Sequence, residues 1–178
     1  MRDENRAVST MKLDIRDVAA KYLAYRSHTT AEMRKFLQQK DFAQEEIEAL
    51  ILDFTEYGYL DDEKYCHQYF DYAFGKGKGK KVVFAELREK GVDSDVIQFA
   101  FEDREEEFDE RGRAFEEAAK VLRAVGVEVE AENFVNGEIG EKLTERVDEK
   151  LIAKVGRRLQ SKGYGTDIIY RVIGELRR

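Results

Sequence analysis

A run of alternating glycines and lysines, GKGKGKK at residues 75–81, contains the residue types that most directly suggest chemistry. Glycine-rich loops that carry a lysine can bind phosphate, and the nucleotide-binding form requires G-x-x-x-x-G-K-[S/T] between a strand and a helix. Here Lys81 stands where Ser or Thr is required. No strand is predicted before the run, so the sequence argues against a nucleotide-hydrolysing loop.

Two interpretations of this Gly/Lys segment, residues 75–81, remain open. It is either a flexible connection kept in solution by its lysines, or a mobile joint whose cations contact phosphates or an acidic protein face. Residues 75–90 contain six bases against two acids, so the positive charge extends into the next helix. We therefore predict partner or phosphate contacts from Lys76, Lys78, Lys80, Lys81, Arg88, Lys90, Arg157 and Arg158.

Side chains that could support catalysis or bind a metal are few. The chain has one cysteine and two histidines, His28 and His67. Cys66 and His67 are adjacent, and adjacent residues on a helix point to different faces, so we interpret Cys66 as a small buried thiol. We predict no catalytic residues, no metal site and no cofactor.

The composition predicts an all-α protein. The chain of 178 residues has no proline, and 39% of its residues are charged. It contains no run of 18 apolar residues and no apolar signal-peptide segment near the N-terminus, so we expect a cytoplasmic protein.

The net charge of −7 is the sum over segments of opposite sign. Residues 41–63 hold nine acids and no Lys or Arg, whereas residues 150–178 hold eight bases and two acids.

An internal repeat organises the chain. Segments starting at Arg34, Phe84 and Gly156 align without gaps, each with the pattern of a helix end, a turn and a helix start. The aligned positions are Leu37, Leu87 and Leu159; Lys40, Lys90 and Lys162; Phe42, Val92 and Tyr164; and Ile47, Ile97 and Ile169. Gly91 and Gly163 are expected to take the left-handed conformation that ends many helices.

Each repeat also has a helical stretch upstream, with apolar residues at three- and four-residue spacings that mark one helical face; in the second repeat these are Tyr65, Tyr69 and Tyr72. We predict tandem three-helix units in an elongated, curved array, with boundaries at 1–14 (tail), 15–60, 61–107 and 108–178. The third unit carries an extra segment at about 125–147. Alternating Val125, Val127 and Val129 and the Asn136–Gly137 pair favour a short extended excursion there, although an acidic loop fits equally well.

The central part of the chain resembles the RecX family of recombination regulators. The resemblance covers residues 57–101 most closely and lies in three elements: a Gly-aromatic-Leu-Asp-Asp-x-x-Tyr opening, a G-K-G element and an E-L-x-x-K-G close. The residues that carry it are Gly58, Tyr59, Leu60, Asp61, Asp62, Tyr65, Gly77, Gly79, Glu86, Leu87, Lys90 and Gly91.

The resemblance implies a non-enzymatic modulator, mainly an inhibitor, that binds the RecA recombinase filament on DNA. It would limit filament assembly, ATP hydrolysis, strand exchange and coprotease activity. We expect a monomer that contacts RecA and the DNA within the filament and makes no membrane contact. The alternative is a helical repeat protein that binds DNA through its basic residues without touching the recombinase.

Overall fold

A computed structural model describes residues 14–127, 129 and 147–177. This part of the chain forms nine helices and no strand, which confirms the all-α repeat fold. The helices are α1 (Ile15–Leu23), α2 (Thr30–Gln38), α3 (Gln44–Glu56), α4 (Asp62–Gly75), α5 (Lys80–Glu89), α6 (Ser94–Glu105), α7 (Glu110–Arg123), α8 (Glu149–Lys162) and α9 (Thr166–Leu176). The predicted tail, except Asp14, and most of the predicted extra segment, including Asn136 and Gly137, lie outside the described residues.

The first compact unit ends at Asp62 and contains α1, α2 and α3. Its α2 starts with the predicted capping box: the Thr29 side chain accepts a hydrogen bond from the backbone N–H of Glu32, whose carboxylate accepts one from the N–H of Thr29. These contacts satisfy backbone donors that a helix start leaves unpaired. The buried apolar residues of the unit are Ala19, Met33, Leu37, Ile47, Leu50, Ile51, Phe54 and Leu60.

The second compact unit runs from Glu63 to the C-terminus and holds two apolar clusters. One cluster lies among α4, α5 and α6 and is rich in phenylalanine; Phe70 and Phe101 meet edge to face with ring centroids 5.7 Å apart. The other lies among α7, α8 and α9 and is aliphatic apart from Phe115 and Tyr164. The division of this unit at residues 107–108 remains our proposal.

The predicted repeat recurs in the backbone hydrogen bonds. Leu37, Leu87 and Leu159 are all fully buried, and the carbonyl of each accepts a hydrogen bond from the residue five positions later. The donors are the backbone N–H groups of Phe42, Val92 and Tyr164, at 3.4, 3.1 and 3.1 Å. The same helix ending therefore closes all three segments.

In each repeat, the residue directly before the donor has the left-handed backbone conformation. Gly91 and Gly163 both have φ of 82°, as predicted. The first repeat has Asp41 in this position, with φ of 60°. A residue with a Cβ atom is strained there, because the left-handed region brings Cβ close to the backbone.

One position on a predicted helical face was wrong. Tyr65, Tyr69 and Tyr72 were expected to mark one face of α4; Tyr65 is buried and Tyr69 is partly buried against the same cluster, but Tyr72 is 58% exposed. The buried side chains of α4 are Tyr65, Cys66, Phe70, Ala73 and Phe74. Phe70 and Phe74 take inner positions rather than Tyr72, because they have no hydroxyl group to keep hydrated. Cys66 is fully buried, as predicted.

No helix within the described residues is long and apolar enough to cross a membrane.

Candidate functional site

The opening of the signature lies at the end of α3. Gly58 has φ of 72°, and its turn buries Leu60 while Tyr59 stays 66% exposed. The Asp62 carboxylate accepts a 2.8 Å hydrogen bond from the backbone N–H of Thr30, at the start of α2. Burial raises the pKa of Asp62 above its ordinary value, although this hydrogen bond opposes the shift. Leu60 and Asp62 therefore hold the first unit together, and Tyr59 is available to a partner.

The Gly/Lys segment is anchored to the turn between α8 and α9. The backbone N–H of Gly79 donates to the carbonyl of Lys162 at 2.7 Å, and the Lys162 ammonium donates to the carbonyl of Lys76 at 2.6 Å. The Tyr164 hydroxyl donates to the carbonyl of Gly77 at 3.2 Å. The structure does not support a mobile joint, because these contacts hold the segment against residues more than eighty positions away.

Two of the three glycines in the segment, Gly77 and Gly79, are required by close packing. Gly77 has φ of 72°, and a Cβ atom on it would overlap the Glu117 side chain. A Cβ atom on Gly79 would lie 2.7 Å from the carbonyl oxygen of Gly163, closer than such contacts occur. The alternation of glycine with lysine thus places small residues on the buried side of the segment, where another backbone approaches closely.

Three of the predicted contact lysines are engaged within the protein. The Lys78 ammonium donates a 2.5 Å hydrogen bond to the Glu86 carboxylate. Lys80 lies 3.9 Å from the centroid of the Phe101 ring, and Lys90 lies 5.5 Å from that of Tyr69. Their role as partner contacts stays a prediction, and the structure adds that each supports the packing of α4, α5 and α6.

Glu86 of the signature accepts hydrogen bonds from two directions. Lys78 donates from the Gly/Lys segment, and the Tyr69 hydroxyl donates from α4 at 2.8 Å. Burial alone would raise the pKa of Glu86, but these hydrogen bonds hold it below its ordinary value. The carboxylate therefore stays ionised and ties α4 to α5.

The side chains of two predicted contact residues on α5 are exposed and form no hydrogen bond or ion pair with any residue that the structure describes. They are Lys81 and Arg88, which flank the half-buried ring of Phe84 on one face of the helix. With Glu110, Asp167 and Ile168 they line an open groove of about 360 Å³. Lys76 is also exposed, with its ammonium 5.9 Å from the centroid of the Tyr72 ring. Lys81 and Arg88 are therefore the predicted residues of α5 that are available to a partner.

A buried carboxylate that the sequence analysis missed organises the cations of the last three helices. Glu117 on α7 has 2% of its side chain exposed, and it pairs with Lys120 at 2.6 Å and with Arg158 at 3.4 Å. Burial lowers the pKa of Lys162, which lies near the same carboxylate, and the neighbouring cations lower it further. The available signal was the position of Glu117 next to Ala118 and Ala119 in the apolar stripe of α7.

The other predicted residue on α8, Arg157, is exposed and has no hydrogen bond or ion pair within the described ranges. Across those ranges, no group of three or more His, Cys, Asp and Glu side chains could hold a metal ion.

Comparison with known proteins identifies two matching domain models. Residues 16–52 match the RecX first three-helix domain, and residues 61–100 match the RecX second three-helix domain. The regulatory protein RecX of Mycolicibacterium smegmatis is 30% identical over 166 residues, covering 92% of this chain and 80% of that protein. The RecX protein of Bacillus subtilis is 35% identical over 95 residues, covering 50% of this chain and 36% of its own.

Solved structures support the same fold. The crystal structure of RecX from Lactobacillus salivarius superposes with a TM-score of 0.69 at 21% sequence identity, covering 91% of this chain and 94% of that one. A second crystal structure of regulatory protein RecX gives 0.65 at 20% identity, covering 89% of this chain and 69% of the other.

Proposed function

Because the chain belongs to the RecX family of regulatory proteins, which implies regulation of the RecA recombinase, we propose that it binds the RecA filament on DNA. Bound there, it limits filament assembly, ATP hydrolysis, strand exchange and coprotease activity. The recombinase supplies the chemistry, and this chain acts without catalysis, as a monomer in the cytoplasm.

The observation that supports this proposal is the ordered signature at residues 58–91, which spans the start of the second three-helix domain and ends in the turn after α5. Its buried members, such as Leu60 and Gly77, stabilise the fold. The same stretch leaves Lys81 and Arg88 exposed beside the partly buried ring of Phe84. Cations next to an apolar ring suit a protein surface that presents carboxylates around an apolar residue.

The test is RecA's DNA-dependent ATPase and strand exchange, measured with the purified chain at stoichiometric concentration. We expect both activities to fall. The double variant Lys81→Ala/Arg88→Ala should lose most of the inhibition, because it removes the exposed cations without breaking an intrachain pair. The matched control Lys150→Ala/Arg171→Ala removes two other exposed cations of the same unit and should inhibit like wild type.

An unchanged ATPase and strand exchange in the presence of the wild-type chain would refute the proposal. Equal inhibition by the two double variants would instead show that the α5 surface is not the contact with the filament.

A further inference from the structure

A second basic surface lies between α7 and α8, away from the signature. It is an open groove of about 490 Å³, which we call the α7/α8 groove. Its lining is Lys120, Val121 and Ala124 from α7 and Lys154, Arg157, Arg158 and Ser161 from α8. Four of these side chains are cationic and none is acidic, in a chain whose net charge is −7.

The positive charge of the groove is only partly neutralised. The buried Glu117 carboxylate forms ion pairs with both Lys120 and Arg158. Lys154 and Arg157 are exposed and form neither an ion pair nor a hydrogen bond with any residue in the described part of the chain. The groove therefore presents two cations without a partner and two more that share one carboxylate.

Helix stability does not account for this clustering. Lys154 precedes Arg157 and Arg158 by three and four residues, which places like charges side by side on one face of α8. Such pairs destabilise a helix. These residues also lie before the last turn of the helix, which ends at Lys162, and cations interact favourably with the helix dipole mainly within that last turn. For the side chains of Lys154 and Arg157, which pair with no residue in the described part of the chain, this local energetic cost brings no structural gain and favours a role in binding an anion.

The shape and lining of the groove narrow the class of anion. From Lys154 to Arg158 the cationic edge of α8 extends over about 6 Å, and Lys120 adds a fourth cation from α7, which suits consecutive charges on a polymer better than a single small ion. The uncharged lining side chains are aliphatic or hydroxyl-bearing, with no ring on which a base could stack. The groove thus offers contacts to a charged backbone and no device for reading sequence.

We propose that the α7/α8 groove binds the phosphodiester backbone of nucleic acid, directly and without sequence preference. The site is a property of this chain alone and does not depend on contact with the recombinase. It also differs in location from the Gly/Lys segment, where the sequence had placed the main phosphate contacts and where Lys78 and Lys80 are engaged within the fold.

The experiment measures fluorescence anisotropy of a labelled oligothymidylate about 20 nucleotides long, with no recombinase present, between about 50 and 200 mM salt. Binding by the wild-type chain should weaken steeply as salt rises. Lys154→Ala/Arg157→Ala should bind about tenfold more weakly at low salt. It should also lower the slope of log K against log salt by about 1.4, because each phosphate contact to a single strand contributes about 0.7.

The matched control is Lys150→Ala/Arg171→Ala, which removes the same charge from exposed positions of the same unit outside the groove lining and should bind like wild type. Unchanged thermal melting monitored by circular dichroism shows that both variants fold. Absence of salt-dependent binding by the wild-type chain, or equal weakening in the two variants, overturns the proposal. Displacement of the oligonucleotide by polyglutamate at equal charge concentration also overturns it and points to an acidic protein ligand.

Discussion

The Tyr164 hydroxyl donates a hydrogen bond to the backbone carbonyl of Gly77 across 87 residues of sequence, at a distance of 3.2 Å. Tyr164 is 4% exposed, and Gly77 is buried as well. The contact joins the turn that follows α8 to the centre of the Gly/Lys segment. A glycine-rich segment that looks flexible in the sequence is therefore part of the packed interior of the second unit.

Replacing Tyr164 by Phe should destabilise the protein. The change removes the only polar atom of the side chain and leaves the Gly77 carbonyl without this donor in a buried site. We expect the free energy of unfolding to fall by about 1–2 kcal/mol, measured by urea denaturation.

The control for this prediction is Tyr170→Phe, which removes the same atom from a side chain that is 74% exposed. Its free energy of unfolding should stay within about 0.5 kcal/mol of wild type. Equal effects of the two substitutions would show that the buried hydrogen bond contributes nothing to the free energy of unfolding.

The repeat could be predicted from the sequence because its signals are local. Leu37 and Phe42 lie five residues apart, as do their counterparts in the other repeats, and left-handed glycines are recognisable from their position at a helix end. The function of the Gly/Lys segment and the groove could not be predicted in this way. Gly77 lies against Glu117, and Lys120 and Arg157 line the same groove, only after helices distant in sequence have packed.

Replacing Asp41 by Gly should stabilise the first unit. Asp41 has φ of 60°, in the position that glycine occupies in the other two repeats. Glycine adopts this conformation without a Cβ clash, and the gain exceeds its extra entropy in the unfolded chain. We expect the free energy of unfolding to rise by about 0.5–1 kcal/mol in urea denaturation.

The control is Asp41→Ala, which removes the carboxylate and keeps the Cβ atom. It should give no gain in stability. An equal gain from Ala and Gly would mean that the carboxylate, rather than the left-handed backbone, destabilises wild type.

The first unit should lose stability as the pH falls below about 6.5. His28 is 5% exposed and stacks on Tyr22, with ring centroids 3.6 Å apart. Burial, assisted by Arg26, lowers the pKa of His28 below its ordinary value of 6.5, more than Glu32 raises it. The unfolded chain therefore binds more protons than the folded one in this range, so acidification favours unfolding.

Urea denaturation at pH 7.5 and pH 5.5 checks this sign. The difference in the free energy of unfolding between the two pH values should shrink in His28→Gln. It should persist in His67→Gln, which replaces the other histidine. An identical pH dependence in His28→Gln and wild type would contradict the assignment to His28.

Replacing Glu117 by Gln should change stability and nucleic-acid binding in opposite directions. The side chain keeps its shape but loses the charge that balances Lys120 and Arg158, so the free energy of unfolding should fall by about 1–2 kcal/mol. The same loss leaves the α7/α8 groove more positive, so oligothymidylate should bind more tightly at low salt. Glu116→Gln is the matched control, since it makes the same charge change at an exposed neighbour on α7 and should alter neither quantity appreciably. A variant Glu117→Gln that lost stability and affinity together would show that Glu117 serves the groove by holding its cations in place.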